Sequence, residues 1–128
     1  MTVSSKLKIL LVEDNPDAQD LYKTVLTDAG FSVDIAPDGE TGLSLAQKGG
    51  YKAILLDILL PKMDGLALLA ELNSAPPVVK NGPVLVLTNV ANDKSVKEAY
   101  KLGAKQYLVK SDIDLGQLVA KVKAAVGN

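Results

Sequence analysis

A chain of 128 residues with 48% hydrophobic and 23% charged residues has room for one core and lies outside the low-hydrophobicity regime of disorder. Fourteen lysines and no arginine stand against 15 acids, a formal net charge of -1, so there is no overall basic field to attract nucleic acid or an anionic membrane surface. Cysteine and histidine are both absent, which removes disulfides, thiolate and imidazole ligands and the commonest general base, and leaves carboxylates, lysines and hydroxyls to carry any chemistry.

In chain order, short apolar runs alternate with segments of helical period. Leu7 to Val12 reads as a strand buried on both faces and ends at Glu13-Asp14. Asn15-Pro16 supplies an N-cap and a first-turn proline for a helix whose stripe is Ala18, Leu21, Tyr22, Val25, Leu26 and Ala29, closed by Gly30. A more alternating strand, Phe31 to Ala36, suits a position nearer a sheet edge, and Asp38 caps a helix that ends at Gly49-Gly50. Lys52 to Asp57 is the third strand. The segment from Ile58 to Asp64 is a loop, and a helix runs from about Gly65 to Leu72. Asn73 to Pro83, with three of the six prolines, reads as a long surface connection. Val84 to Thr88, a helix from about Asp93 to Leu102 capped by Gly103, a strand around Gln106 to Val109 and a helix from about Asp114 to Val126 complete the chain.

Five such units predict a doubly wound α/β fold, a parallel sheet with helices on both faces. Ligands in such sheets lie beyond the carboxyl ends of the strands. Those ends hold Glu13-Asp14, Asp57, Thr88 and, just past the last strand, Lys110. Each has an ordinary explanation alone: a cap, a turn, a strand hydroxyl, a surface lysine. Together they form an all-oxygen cluster that suits magnesium, with a lysine and a hydroxyl placed to hold phosphate oxygens. Calcium fits less well, because the stretch Asp14 to Asp20 lacks the ligand spacing and the glycine of an EF-hand loop.

The segments Leu10 to Asn15, Leu55 to Gly65, Val86 to Thr88 and Gly103 to Lys110, in this order and spacing, resemble the receiver domains of two-component response regulators over essentially the whole of residues 1 to 128. The resemblance implies a flavodoxin-like strand order 2-1-3-4-5. It also implies that Asp57 is the phosphoacceptor, that Asp14 is a direct magnesium ligand with Glu13 acting through metal-bound water, and that the main-chain carbonyl of Leu59 completes the protein ligands. Thr88 and Lys110 would contact the phosphoryl group, and Tyr107 would be the aromatic that turns inward with Thr88. A histidine kinase or histidine phosphotransfer protein would be the donor, and residues 93 to 126 would present the face read by a downstream protein, as a monomer or a weak phosphorylation-dependent dimer. The only catalysis implied is self-phosphorylation and self-dephosphorylation. Leu59 and Val90 would line the approach of the hydrolytic water.

Two positions depart from the family pattern. Ser111 stands where a proline follows the lysine, often after a cis peptide, and a non-proline cis bond costs ~2.5–4 kcal/mol, so the loop either relaxes to trans or bears that strain. Asn89 stands where a small residue is common and is expected to cover the site partly.

An aspartyl-phosphate phosphatase of the haloacid dehalogenase type would need an acid at position 59, which is Leu. A dinucleotide or flavin site would need a glycine- or hydroxyl-rich phosphate loop where Glu13-Asp14 stands. A phosphorylation-independent pseudo-receiver is disfavoured by the complete site. No apolar run reaches the ~20 residues of a membrane span, and Met1 to Lys6 lacks a signal-peptide pattern, so a cytoplasmic protein with no direct nucleic-acid or membrane partner is expected.

Overall fold

The structure is a computed structural model that describes residues 6–127; residues 1–5, on which the signal-peptide reading falls, and residue 128 lie outside it. Five parallel strands, β1 (Lys8–Val12), β2 (Ser32–Ala36), β3 (Ala53–Leu56), β4 (Val84–Thr88) and β5 (Gln106–Val109), form one sheet in the order β2-β1-β3-β4-β5. Five helices separate and follow them: α1 (Pro16–Asp28), α2 (Gly39–Lys48), α3 (Gly65–Ser74), α4 (Asp93–Lys101) and α5 (Leu115–Ala125). The expected doubly wound fold and strand order are both present.

Strand alternation sorts the core into two layers. Leu10, Val12, Ile54, Leu56, Val84 and Val86 face α2, α3 and α4, where they meet Ala46, Leu68, Leu69 and Ala99. Ile9, Leu11, Leu55, Leu85, Leu87 and Leu108 face α1 and α5, where they meet Leu26, Leu118 and Val122. β1, β3 and β4 are apolar at nearly every position because both of their faces are covered, and each fully buried Leu or Ile contributes about 1.5–3 kcal/mol. The more alternating β2 is indeed an edge strand.

Caps set the helix starts. Asn15, Asp38, Asp64, Asn92 and Asp114 each accept a main-chain N–H of the first turn, and Asp114 forms a reciprocal capping box with Gln117. Asp114 is thus the cap of the last helix and not its first residue. α3 runs two residues past the expected Leu72, to Ser74. The connection after it is tethered: Asn81 Oδ1 accepts the Tyr51 N–H at 3.1 Å, and its amide donates to the Ala46 carbonyl at 2.8 Å.

Candidate functional site

Strand register brings the site together. Val12 lies beside Leu56 and Leu56 beside Val86, while Thr88 pairs with Val109. The residues that follow β1, β3 and β5, together with the last residue of β4, therefore share one rim. Asp57 stands one residue beyond its strand, not within it, and its N–H still reaches the Val12 carbonyl at 3.1 Å. The loop after it folds back tightly: Lys62 adopts a left-handed φ of 68°, and Gly65 donates to the Ile58 carbonyl at 2.9 Å. A Cβ on Gly65 would lie 2.2 Å from the Asp57 carbonyl oxygen, so only glycine admits this return.

Asp57 is 7% exposed, Glu13 1% and Thr88 0%, whereas Asp14 faces solvent. Carboxylate oxygens of Glu13, Asp14 and Asp57 lie within 4.8 Å of one another. Every buried charge has partners, as burial demands. The Thr88 hydroxyl donates to Asp57 Oδ1 at 2.6 Å, and the Leu59 N–H reaches the same oxygen at 3.3 Å. Lys110 Nζ donates to Asp57 Oδ2 at 3.1 Å and to Glu13 Oε1 at 2.6 Å. Burial alone would lower the Lys110 pKa, but the Glu13 hydrogen bond and the Asp57 charge outweigh it and raise the value above 10.5, so the ammonium is kept. The Tyr107 phenol is raised, first by burial and then by the Asp57 charge.

Three carboxylates facing one ammonium leave two negative charges uncompensated at a cleft of about 430 Å³. The donor set is all oxygen, free of thiol and imidazole, and open on the Asp14 side. Such a set fits a hard divalent cation like magnesium, which keeps several waters and few carboxylates.

The sequence places Glu13, Asp14, Asp57, Leu59, Thr88 and Lys110 at this site, and the structure gathers all six around the cleft. Tyr107 lies at one remove, with its hydroxyl donating to the Val90 carbonyl at 2.6 Å. Among the described residues no peptide is cis, so Lys110–Ser111 is trans and Lys110 opens a short 3-10 turn, Lys110–Asp112, that the sequence had not suggested. Asn89, exposed, lines the cleft. Val90 is half-buried and packs against the α2–α4 layer, while Leu59, 65% exposed, lines the cleft together with Ala18.

Two supports escaped sequence reasoning. The Asn15 N–H donates to Glu13 Oε2 at 3.1 Å, and the Gln19 amide donates to the Glu13 carbonyl at 2.7 Å. Asn15 was legible as a cap, but nothing in residue type marks Gln19, four residues along the same helix, as holding the acidic turn.

The family model for the response regulator receiver domain matches residues 9–123. This chain belongs to that family. Its receiver domain is 40% identical over 118 residues to the transcriptional regulatory protein HprR of Escherichia coli, covering 92% of this chain and 51% of HprR. It is 33% identical to the gliding motility regulatory protein of Myxococcus xanthus over 93% of this chain and 15% of that protein. The chain thus spans about half or less of the length of these relatives. Among solved structures, the CheY-like receiver from Methanospirillum hungatei superposes with a TM-score of 0.85 at 27% identity, covering 95% of this chain and 94% of its own. The receiver of the sensor histidine kinase PA1611 from Pseudomonas aeruginosa, which has magnesium coordinated in its active-site cleft, gives 0.83 at 28% identity over 97% of this chain and 100% of its own. The receiver domain is therefore a signal-transduction module of a two-component system. No helix among its described residues is long and apolar enough to cross a membrane.

Proposed function

We propose that this receiver domain is a phosphorylation switch that takes a phosphoryl group onto Asp57 from the phosphohistidine of a kinase or phosphotransfer partner. The supporting observation is the Asp57 carboxylate held between the Thr88 hydroxyl at 2.6 Å and the Lys110 ammonium at 3.1 Å, beside two further acids. These 128 residues include no histidine, so the donor imidazole lies outside them.

An Asp57 oxygen forms the new bond to phosphorus while the bond from phosphorus to the donor nitrogen breaks, its electron pair staying on the imidazole. Lys110 pairs with a phosphoryl oxygen, and the Thr88 hydroxyl turns from Asp57 to donate to another, so that both act where charge shifts during transfer. Asp14, Asp57 and the Leu59 carbonyl would hold magnesium, with Glu13 assisting through water. Bound there, the ion supplies the positive charge that lets a phosphoryl group approach an acidic site. Water later hydrolyses the acyl phosphate and restores the carboxylate, so catalysis is confined to the domain's own phosphate. The added phosphoryl group brings about -1.5 to -2 charge, large beside the chain's formal -1, and is read by a downstream protein at the face of residues 93 to 126. We assign the protein to the cytoplasm, where a phosphohistidine donor draws on ATP, and to a monomer or a weak dimer that phosphorylation strengthens.

Acetyl phosphate with magnesium should add one phosphoryl group by intact mass, labile to hydroxylamine, and Asp57→Asn should abolish it. Incorporation that persists in the variant would move the acceptor elsewhere.

A further inference from the structure

Glu13 and Asp14 are joined by one peptide unit, and that unit is held from two sides. On the strand side, the Glu13 N–H still donates to the Ala36 carbonyl at 3.0 Å. Beyond it the strand ladder ends, and the Glu13 carbonyl is taken up by a side chain instead: the amide of Gln19, in the first turn of α1, donates to it at 2.7 Å. The Glu13 carboxylate is fixed separately, by the Asn15 N–H at 3.1 Å and the Lys110 ammonium at 2.6 Å. Asp14 faces solvent, so its direction depends on the main chain that carries it.

The peptide unit is planar, so holding its carbonyl oxygen holds the ψ of Glu13 and the φ of Asp14 together. Gln19 is itself well seated. It is half-buried, its N–H donates to the Asn15 carbonyl at 2.9 Å, and the Asn15 side chain caps the same turn through the Ala18 N–H at 2.9 Å. One side-chain amide thus ties the orientation of Asp14 to the capped end of a helix.

How firmly a carboxylate is held matters differently to the two common hard cations. Magnesium demands near-ideal octahedral geometry at about 2.0–2.1 Å, whereas calcium accepts oxygens at about 2.3–2.6 Å in a flexible arrangement. A loosened Asp14 therefore penalises magnesium more than calcium.

We infer that Gln19 is a positioning residue that makes this site prefer magnesium to calcium, by pinning the peptide between Glu13 and Asp14. The inference rests on the magnesium reading above and adds a residue outside the ligand set on which the choice of metal depends. Gln19 acts through the main chain, and its amide is spent on the Glu13 carbonyl.

The test titrates the full chain with magnesium chloride and, separately, with calcium chloride, following the amide chemical shifts of Asp14 and Asn15, in variants whose cooperative urea unfolding shows them folded. Gln19→Met keeps the length of the side chain and removes the donor. Its magnesium dissociation constant should rise on the order of tenfold, as when a support of a metal ligand is lost, while that for calcium should change by less than about threefold. Gln19→Asn, one methylene short of the Glu13 carbonyl, should behave as Gln19→Met does, and Gln47→Met, at an exposed position of α2, should match the parent for both cations. Equal losses for the two cations in Gln19→Met would show a general loosening and overturn the inference. Unchanged constants in Gln19→Met, parent-like binding in Gln19→Asn, or a parent chain without preference for magnesium would each overturn it and leave the metal site standing. A parent chain that responds to neither cation would overturn the magnesium reading as well.

Discussion

The hydroxyl of Thr88 donates to the carboxylate of Asp57 at 2.6 Å across a sequence separation of 31 residues, with the threonine fully buried. A buried carboxylate needs such donors, and this one sits where the proposed phosphoryl group would compete for it. Thr88→Val keeps the shape and removes the donor. Its rate of phosphorylation by acetyl phosphate should fall by about tenfold, the scale of one hydrogen bond to a charged group, and Thr88→Ser should recover most of it. Equal rates for the parent and the valine variant in single-turnover measurements would remove Thr88 from the reaction.

Magnesium should raise the melting temperature, because it binds the folded cluster of Glu13, Asp14 and Asp57 and relieves their repulsion. At a concentration of about 100 times its Kd the gain is about 2.7 kcal/mol. Asp14 faces solvent, so Asp14→Ala should fold and yet lose most of the shift. A thermal melt in which the variant responds to magnesium as the parent does would contradict the assigned ligand.

The acyl phosphate should be long-lived. Leu59 stands 65% exposed at the mouth of the cleft and offers no side-chain hydrogen bond to orient a hydrolytic water, whose positioning is a large part of any rate. Leu59→Asn should accelerate dephosphorylation with little change in magnesium affinity, since the proposed metal contact at that position is main-chain. Val90→Glu, at a half-buried side chain packed against the α2–α4 layer, should do less. The decay of radiolabel at saturating magnesium decides this: identical half-lives for the parent and Leu59→Asn would dismiss the role of residue 59.

Far from the site, the Tyr51 hydroxyl donates to Asp34 Oδ2 at 2.8 Å. Burial first, then the hydrogen bond to Asp34 and its charge, raises the phenol pKa well above 10.0. The fold therefore favours the protonated phenol. Its contribution is complete below pH 10.0 and is lost as pH rises through the higher folded value. Urea midpoints should drop more steeply with alkaline pH in the parent than in Tyr51→Phe, which at neutral pH should be less stable by about 1 kcal/mol. Parallel alkaline profiles for the two proteins would show that the phenol's ionisation is not linked to folding.

The sequence by itself determined the fold class and which acids, hydroxyl and lysine stand at the strand ends that line the cleft. Apolar runs at β1, β3 and β4 exist because both faces of a parallel sheet are covered, and helix caps such as Asn15 and Asp38 act within three residues of themselves. Both signals are local, so they are legible along the chain. Acids at strand ends were legible for the same reason: the end of an apolar run is visible wherever the strand lies. Only tertiary structure decided the pairings. Lys110 divides its ammonium between Glu13, 97 residues away, and Asp57, 53 residues away, and no local rule pairs residues so distant. Gln19 and Tyr100 carry ordinary helical side chains, and their hydrogen bonds to Glu13 and Tyr107 follow from where α1 and α4 rest on the sheet. Val90 is half-buried against the α2–α4 layer, a packing that its residue type and spacing do not reveal. Residue type and spacing encode which groups reach the rim; strand register and helix placement decide which of them touch.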